Sequence, residues 1–106
     1  MSVIGFVGLG VMGGPMCRNM ALKHAGDVLA FDTNTSAFDI LEGTKGRRVS
    51  ALADLAAHAD VVFLSLPGGP AVEQVCLGPN GLTSGARKPS IIVDLYGFYN
   101  LYERRT

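Results

Sequence analysis

Val3-Ile4-Gly5-Phe6-Val7-Gly8-Leu9-Gly10-Val11-Met12-Gly13 decides the fold of this chain. A short apolar run enters a glycine-rich turn, and a helical pattern follows. Glycines 8, 10 and 13 have the spacing G-x-G-x-x-G, and each has a physical task if a dinucleotide binds here. Gly8 turns the chain out of the strand. Gly10 lets a pyrophosphate approach the backbone. Gly13 lets the helix pack closely on the strand. The phosphates would meet the N–H groups and positive dipole end of the helix.

Three spaced glycines are a weak signal in a chain with 14 glycines among 106 residues. Context strengthens it. The second apolar run, Val28-Leu29-Ala30-Phe31, ends in Asp32, 19 positions after Gly13. A carboxylate there can accept hydrogen bonds from the adenosine ribose and would repel a 2′-phosphate. Thr33, Asn34 and Thr35 follow, and the first basic residue downstream is Lys45. NAD is therefore expected as cofactor in preference to NADP. A plainer role, capping the helix from Ser36 to about Glu42, falls to Asn34 without removing Asp32 from the ribose.

The rest of the chain alternates strand and helix signals. The first strand spans residues 2–7 and the first helix about Val11 to Lys23, with Pro15 in its first turn. Met12, Met16 and Met20 recur at helical spacing with Cys17. Core packing is expected for Met16 and Met20, and contact with a ligand also for Met12. His24 and His58 close helices and are expected to meet the last carbonyls. Lys45 to Val49 turns into a short third strand with a solvated charged edge. Ser50 is expected to cap a helix over Ala51–Ala57. Val61–Ser65 is the fourth strand, Leu66-Pro67-Gly68-Gly69-Pro70 breaks it, helix resumes over Ala71–Val75, and Ser90–Asp94 is the fifth strand. This order predicts an α/β, Rossmann-type, doubly wound parallel sheet, truncated after about five strands. Ligands of such sheets bind beyond the carboxyl ends of the strands, where the Gly8 turn, Asp32, Leu66-Pro67 and Asp94 all lie.

Nine basic residues balance nine acidic ones, so neither nucleic acid nor a membrane surface is expected as a partner. Cys17 and Cys76 stand far apart, outside any metal-ligand spacing; two reduced thiols and no metal are expected. There is no apolar run of about 18 residues, and the first strand starts at once, so a cytoplasmic location is expected.

The chain resembles the cofactor-binding half of the β-hydroxyacid dehydrogenases, the group that includes 3-hydroxyisobutyrate dehydrogenase, tartronate semialdehyde reductase and 6-phosphogluconate dehydrogenase. The matching residues are Gly5 to Gly13 with Met16, Phe31-Asp32, Leu66-Pro67 and Gly78-Pro79-Asn80-Gly81. The resemblance implies hydride exchange between NAD(P) and a small hydroxy acid, and is compatible with a homo-oligomer. It implies that Phe6, Gly8, Leu9, Gly10, Val11, Met12 and Gly13 hold the pyrophosphate. It places the ribose on Asp32 with Thr33, and the nicotinamide side on Leu66 and Pro67.

Asp94 matches the acid that opens the family's Asp-x-Ser-Thr segment, but Leu95-Tyr96-Gly97 follows instead. Residues 1–94 are therefore read as a dinucleotide-binding domain and 95–106 as an atypical tail, from a shifted frame or alternative splice. The family's general acid/base lysine has no counterpart here, and no catalytic residue is assigned. Three readings stay open: the NAD(P)-binding domain of a 3-hydroxyisobutyrate dehydrogenase-like oxidoreductase, a non-catalytic NAD-binding module or truncated product of such a gene, and a pyrroline-5-carboxylate reductase relative. Leu66-Pro67 and Gly78-Pro79-Asn80-Gly81 argue against the third.

Overall fold

The computed structural model describes residues 2–95; the tail from Tyr96 onward, singled out by sequence, lies outside them. Among the described residues, five strands form one sheet: β1 (Ile4–Val7), β2 (Val28–Phe31), β3 (Arg47–Arg48), β4 (Val61–Leu64) and β5 (Ile91–Asp94). All pairings are parallel and the order is β3-β2-β1-β4-β5. Helix α1 (Gly13–Lys23) and a 3-10 helix (Thr35–Leu41) serve one half; α2 (Leu52–His58) and α3 (Gly69–Leu77) serve the other. No helix among the described residues is long and apolar enough to cross a membrane.

Strand alternation builds two cores, one on each face of the sheet. Phe6, Val28 and Ala30 meet Cys17 and Ala21 of α1 and Leu41 of the 3-10 helix. Their neighbours Val7, Leu29, Val62 and Leu64 meet Leu55 of α2 and Val72 and Cys76 of α3. Helices on both faces explain why β1 is apolar at every position. The two cores make the sheet doubly wound, as its sequence order predicts. Because β4 crosses to the far side of β1, the strand order reverses between them and a crevice opens above their carboxyl ends.

The local differences from the sequence reading have physical causes. Helix α1 starts at Gly13, since Val11 and Met12 still belong to the turn. Its buried seam is Gly13, Gly14, Cys17 and Ala21. These small residues bring α1 close to the sheet and leave the methionine stripe on the flank. Met16 is therefore 37% exposed rather than core, whereas Met20 packs against the core as expected. The segment after Asn34 is a 3-10 helix, and Asn34 caps it by accepting from Ser36 N. Ser50 does not cap α2: extended Ala51 stands at that position, with no side-chain cap. The His24 ring bonds the Ser2 carbonyl at 2.6 Å instead of the α1 carbonyls; only its backbone N–H caps α1, through Met20. His58 does meet a helix carbonyl, that of Asp54, at 3.0 Å. Both cysteines are free and buried.

A polar clamp that the sequence reading missed ties the amino ends of the strands. Asp60 Oδ2 accepts from Val3 N at 2.8 Å, and Asp60 Oδ1 accepts from Arg87 Nη2 at 2.7 Å. Arg87 Nη1 also donates to the carbonyls of Ala56 and Ala59 at the end of α2, both at 2.8 Å.

Candidate functional site

The carboxyl ends of β1, β2 and β4 open into one cleft of about 370 Å³. Its floor is the glycine turn. Gly8 has φ +97°, a conformation glycine adopts at no steric cost, and its N–H donates to the Phe31 carbonyl at 3.0 Å. A side chain on Gly13 would run into the Gly8 carbonyl and come within 2.8 Å of Ser65 Cβ. This glycine is what lets α1 begin directly on the sheet. At Gly10 an added Cβ would meet nothing within 4 Å. The backbone there stands bare to the cleft.

Asp32 joins two parts of the site. Its Oδ2 accepts from Leu9 N, inside the glycine turn, at 2.7 Å, and its Oδ1 accepts from Asn34 N at 2.8 Å. An ionised carboxylate has about four lone-pair positions, so each oxygen keeps room for a further donor. Among the described residues, Asp32 is the only ionisable side chain lining the cleft.

The structure brings Gly8, Gly10, Val11, Met12, Gly13, Asp32, Thr33, Leu66 and Pro67 to this one cleft. Val11 is 95% exposed at its mouth. Phe6 does not line the cleft: its ring is buried beneath the turn, stacked on Phe63 with centroids 6.2 Å apart. The Leu9 side chain is buried too, and Leu9 takes part through its backbone N–H. Asp94 stands at the end of β5, outside the cleft lining. The sequence reading missed Val7, Phe31, Ser65 and Val75, which also line it. Ser65 was legible as the residue just before Leu66-Pro67. Val75 was not, because only tertiary packing carries α3 to the cleft. No cluster of His, Cys, Asp or Glu among the described residues could hold a metal ion.

A bare-backbone turn opening a helix, with a carboxylate after the next strand, fits a dinucleotide: a space for diphosphate and an acceptor for ribose hydroxyls. Fold and cleft together define a Rossmann-type nucleotide-binding domain. More particularly, the chain belongs to the family of the NAD binding domain of 6-phosphogluconate dehydrogenase, whose model matches residues 3–99. It is 37% identical to 2-(hydroxymethyl)glutarate dehydrogenase of Eubacterium barkeri, covering 87% of this chain and 30% of that protein. It is 36% identical to 2-hydroxy-3-oxopropionate reductase of Escherichia coli (strain K12), covering 87% of this chain and 31% of that protein. Among solved structures, the 3-hydroxyisobutyrate dehydrogenase of Mycobacterium tuberculosis with L-serine matches with TM-score 0.74 and 30% identity. That match covers 89% of this chain and 31% of the other. The chain thus spans about a third of the length of these relatives.

Proposed function

We propose that the chain binds NAD(H) in this cleft and is the cofactor-binding part of an oxidoreductase acting on the CH–OH group of a small hydroxy acid. The observation that carries the reading is Asp32, whose carboxylate is fastened to the glycine turn inside the same cleft. Gly10, with the start of α1, would receive the diphosphate. Asp32, beside Thr33, would accept from the adenosine ribose hydroxyls. Leu66 and Pro67 would flank the nicotinamide half. When bound, the nicotinamide supplies the hydride acceptor or donor.

The preference for NAD over NADP rests on charge. Among the described residues, the cleft lining contains one carboxylate and no lysine or arginine. A 2′-phosphate near Asp32 would meet repulsion without a counter-charge. Calorimetric titration with NADH and NADPH tests this. NADH is expected to bind at least ~10-fold more tightly, about 1.4 kcal/mol. Equal or tighter binding of NADPH refutes the preference, and no binding of either refutes the function.

The second reading, a module that binds without catalysing, is favoured for these residues by themselves. Oxidising a hydroxyl needs a positioned group to take its proton. Asp32, the one ionisable group that lines the cleft among the described residues, is already engaged by two backbone donors. The purified chain is expected to bind NADH yet give no turnover with 3-hydroxyisobutyrate or related hydroxy acids, followed at the nicotinamide absorbance.

A further inference from the structure

Ser65 leaves β4 at the level of Gly8. Its N–H donates to the Val7 carbonyl at 2.8 Å, and its own carbonyl crowds the side of Gly8 where a side chain would stand. From there its side chain reaches the first residue of α1. A Cβ built on Gly13 would lie 2.8 Å from Ser65 Cβ and 2.9 Å from Ser65 Oγ. The hydroxyl is therefore lodged between the end of β4 and the start of α1, on the wall of the cleft that Ser65 lines. Ser65 is half-buried, and among the described residues its hydroxyl makes no hydrogen bond.

The surroundings narrow what could satisfy it. Val7, Leu66 and Val75, which line the same cleft, are apolar, Gly8 and Gly13 have no side chain to offer, and the carboxylate of Asp32 is engaged by Leu9 N and Asn34 N. A hydroxyl in such a place loses water contacts when a ligand closes over it, and that loss is unfavourable unless the ligand supplies a partner. The partner must accept a hydrogen bond and suit the positive end of a helix dipole. Anionic phosphate oxygens meet both conditions.

We propose that Ser65 is a further contact of the dinucleotide diphosphate: its hydroxyl donates to a phosphate oxygen from the β4 side, while the backbone of the glycine turn approaches from the β1 side. The inference rests on the dinucleotide reading above. It assigns the diphosphate two clamps from the two strands that flank the switch point, one of backbone and one of side chain.

The test compares the parent chain with Ser65→Ala. NADH and ADP are titrated by calorimetry, and adenosine, which lacks phosphate, by NMR. Loss of a charge-assisted hydrogen bond should weaken NADH and ADP about tenfold. Adenosine affinity and the melting temperature should stay unchanged. Ser65→Cys, close in size but a poor donor, should show the same loss and serves if the alanine variant fails to fold. If the parent binds NADH and both variants bind it equally well, this inference is overturned and the dinucleotide reading stands. It is likewise overturned if adenosine weakens in step with NADH, since Ser65 would then shape the pocket rather than hold phosphate. If the parent binds no dinucleotide, both fall together.

Discussion

Gly10 and Gly13 belong to one motif, yet a side chain would meet different things at the two positions. At Gly10 it would enter open space in the cleft; at Gly13 it would strike the Gly8 carbonyl and Ser65. Gly10→Val is therefore expected to keep stability within ~0.5 kcal/mol of the parent while NADH affinity falls more than about tenfold. Gly13→Ala is expected to cost about 1–3 kcal/mol of stability through overpacking. Chemical denaturation and cofactor titration of both variants check the contrast; a destabilised Gly10→Val with normal affinity would reverse the assignment. Asp32 combines both kinds of role. Asp32→Ala removes the acceptor for Leu9 N and Asn34 N as well as the negative charge. NADH should bind more weakly and the NADH/NADPH affinity ratio should move toward one. The motif spacing made these residues legible. It could not show that the carboxylate is tied to the turn, because that bond joins residues 23 apart in sequence.

At the scale of elements, existence was legible and β2 kept its expected bounds, Val28–Phe31, while the bounds of the other elements shifted. β1, β2 and β4 are each followed directly by a glycine or a polar residue, Gly8, Asp32 and Ser65, so the alternation of strand and helix could be read directly. The errors lie where two local rules competed. Ser50 satisfies the preference for a capping hydroxyl, but Ala51 remains extended and the helix starts one residue later. Methionines at four-residue spacing satisfy the rule for an apolar face, but small residues beside them let α1 sit nearer the sheet and take the buried seam. The clamp of Arg87 on Asp60 and on the end of α2 had no sequence signal, since its donor and acceptors lie about thirty positions apart. Arg87 is 44% and Asp60 41% exposed at the side chain, so the ion pair itself is screened and contributes little. The bonds to the α2 carbonyls matter more, because they satisfy a helix end. Arg87→Met is expected to lower stability by about 1 kcal/mol and to leave NADH affinity unchanged, the clamp being at the opposite ends of the strands from the cleft. A change in affinity would show that the two ends of the sheet are coupled.

At the scale of the whole molecule, the switch point between β1 and β4 turned four separate sequence features into a prediction of one ligand-binding end. Three of them meet in the cleft; Asp94, one strand further out, does not line it. The same topology gives each face of the sheet its own core, and each core holds one thiol: Cys17 beneath α1 and Cys76 beneath α3. Burial pushes the Cys17 thiol up to about 12; burial, with the Asp94 carboxylate adding to it, pushes Cys76 up to about 11. The ordinary value is 9.0. Below about pH 9 both thiols are protonated in the folded and unfolded chain alike, and their contribution to stability is fully present. Above it the unfolded chain loses protons that the folded chain keeps, so stability declines as pH rises through about 11 and 12. The urea midpoint should therefore fall between about pH 9 and pH 10.5, and fall less steeply when both cysteines are replaced by alanine. At about pH 8 neither thiol should react with a disulfide reagent in the absence of urea. If the shared sheet makes the two layers one cooperative unit, both should become reactive over a single urea transition. Labelling followed by peptide mass analysis reads each thiol separately. Two transitions, with one thiol exposed while the other stays protected, would show that the layers unfold independently and that the sheet does not unite them.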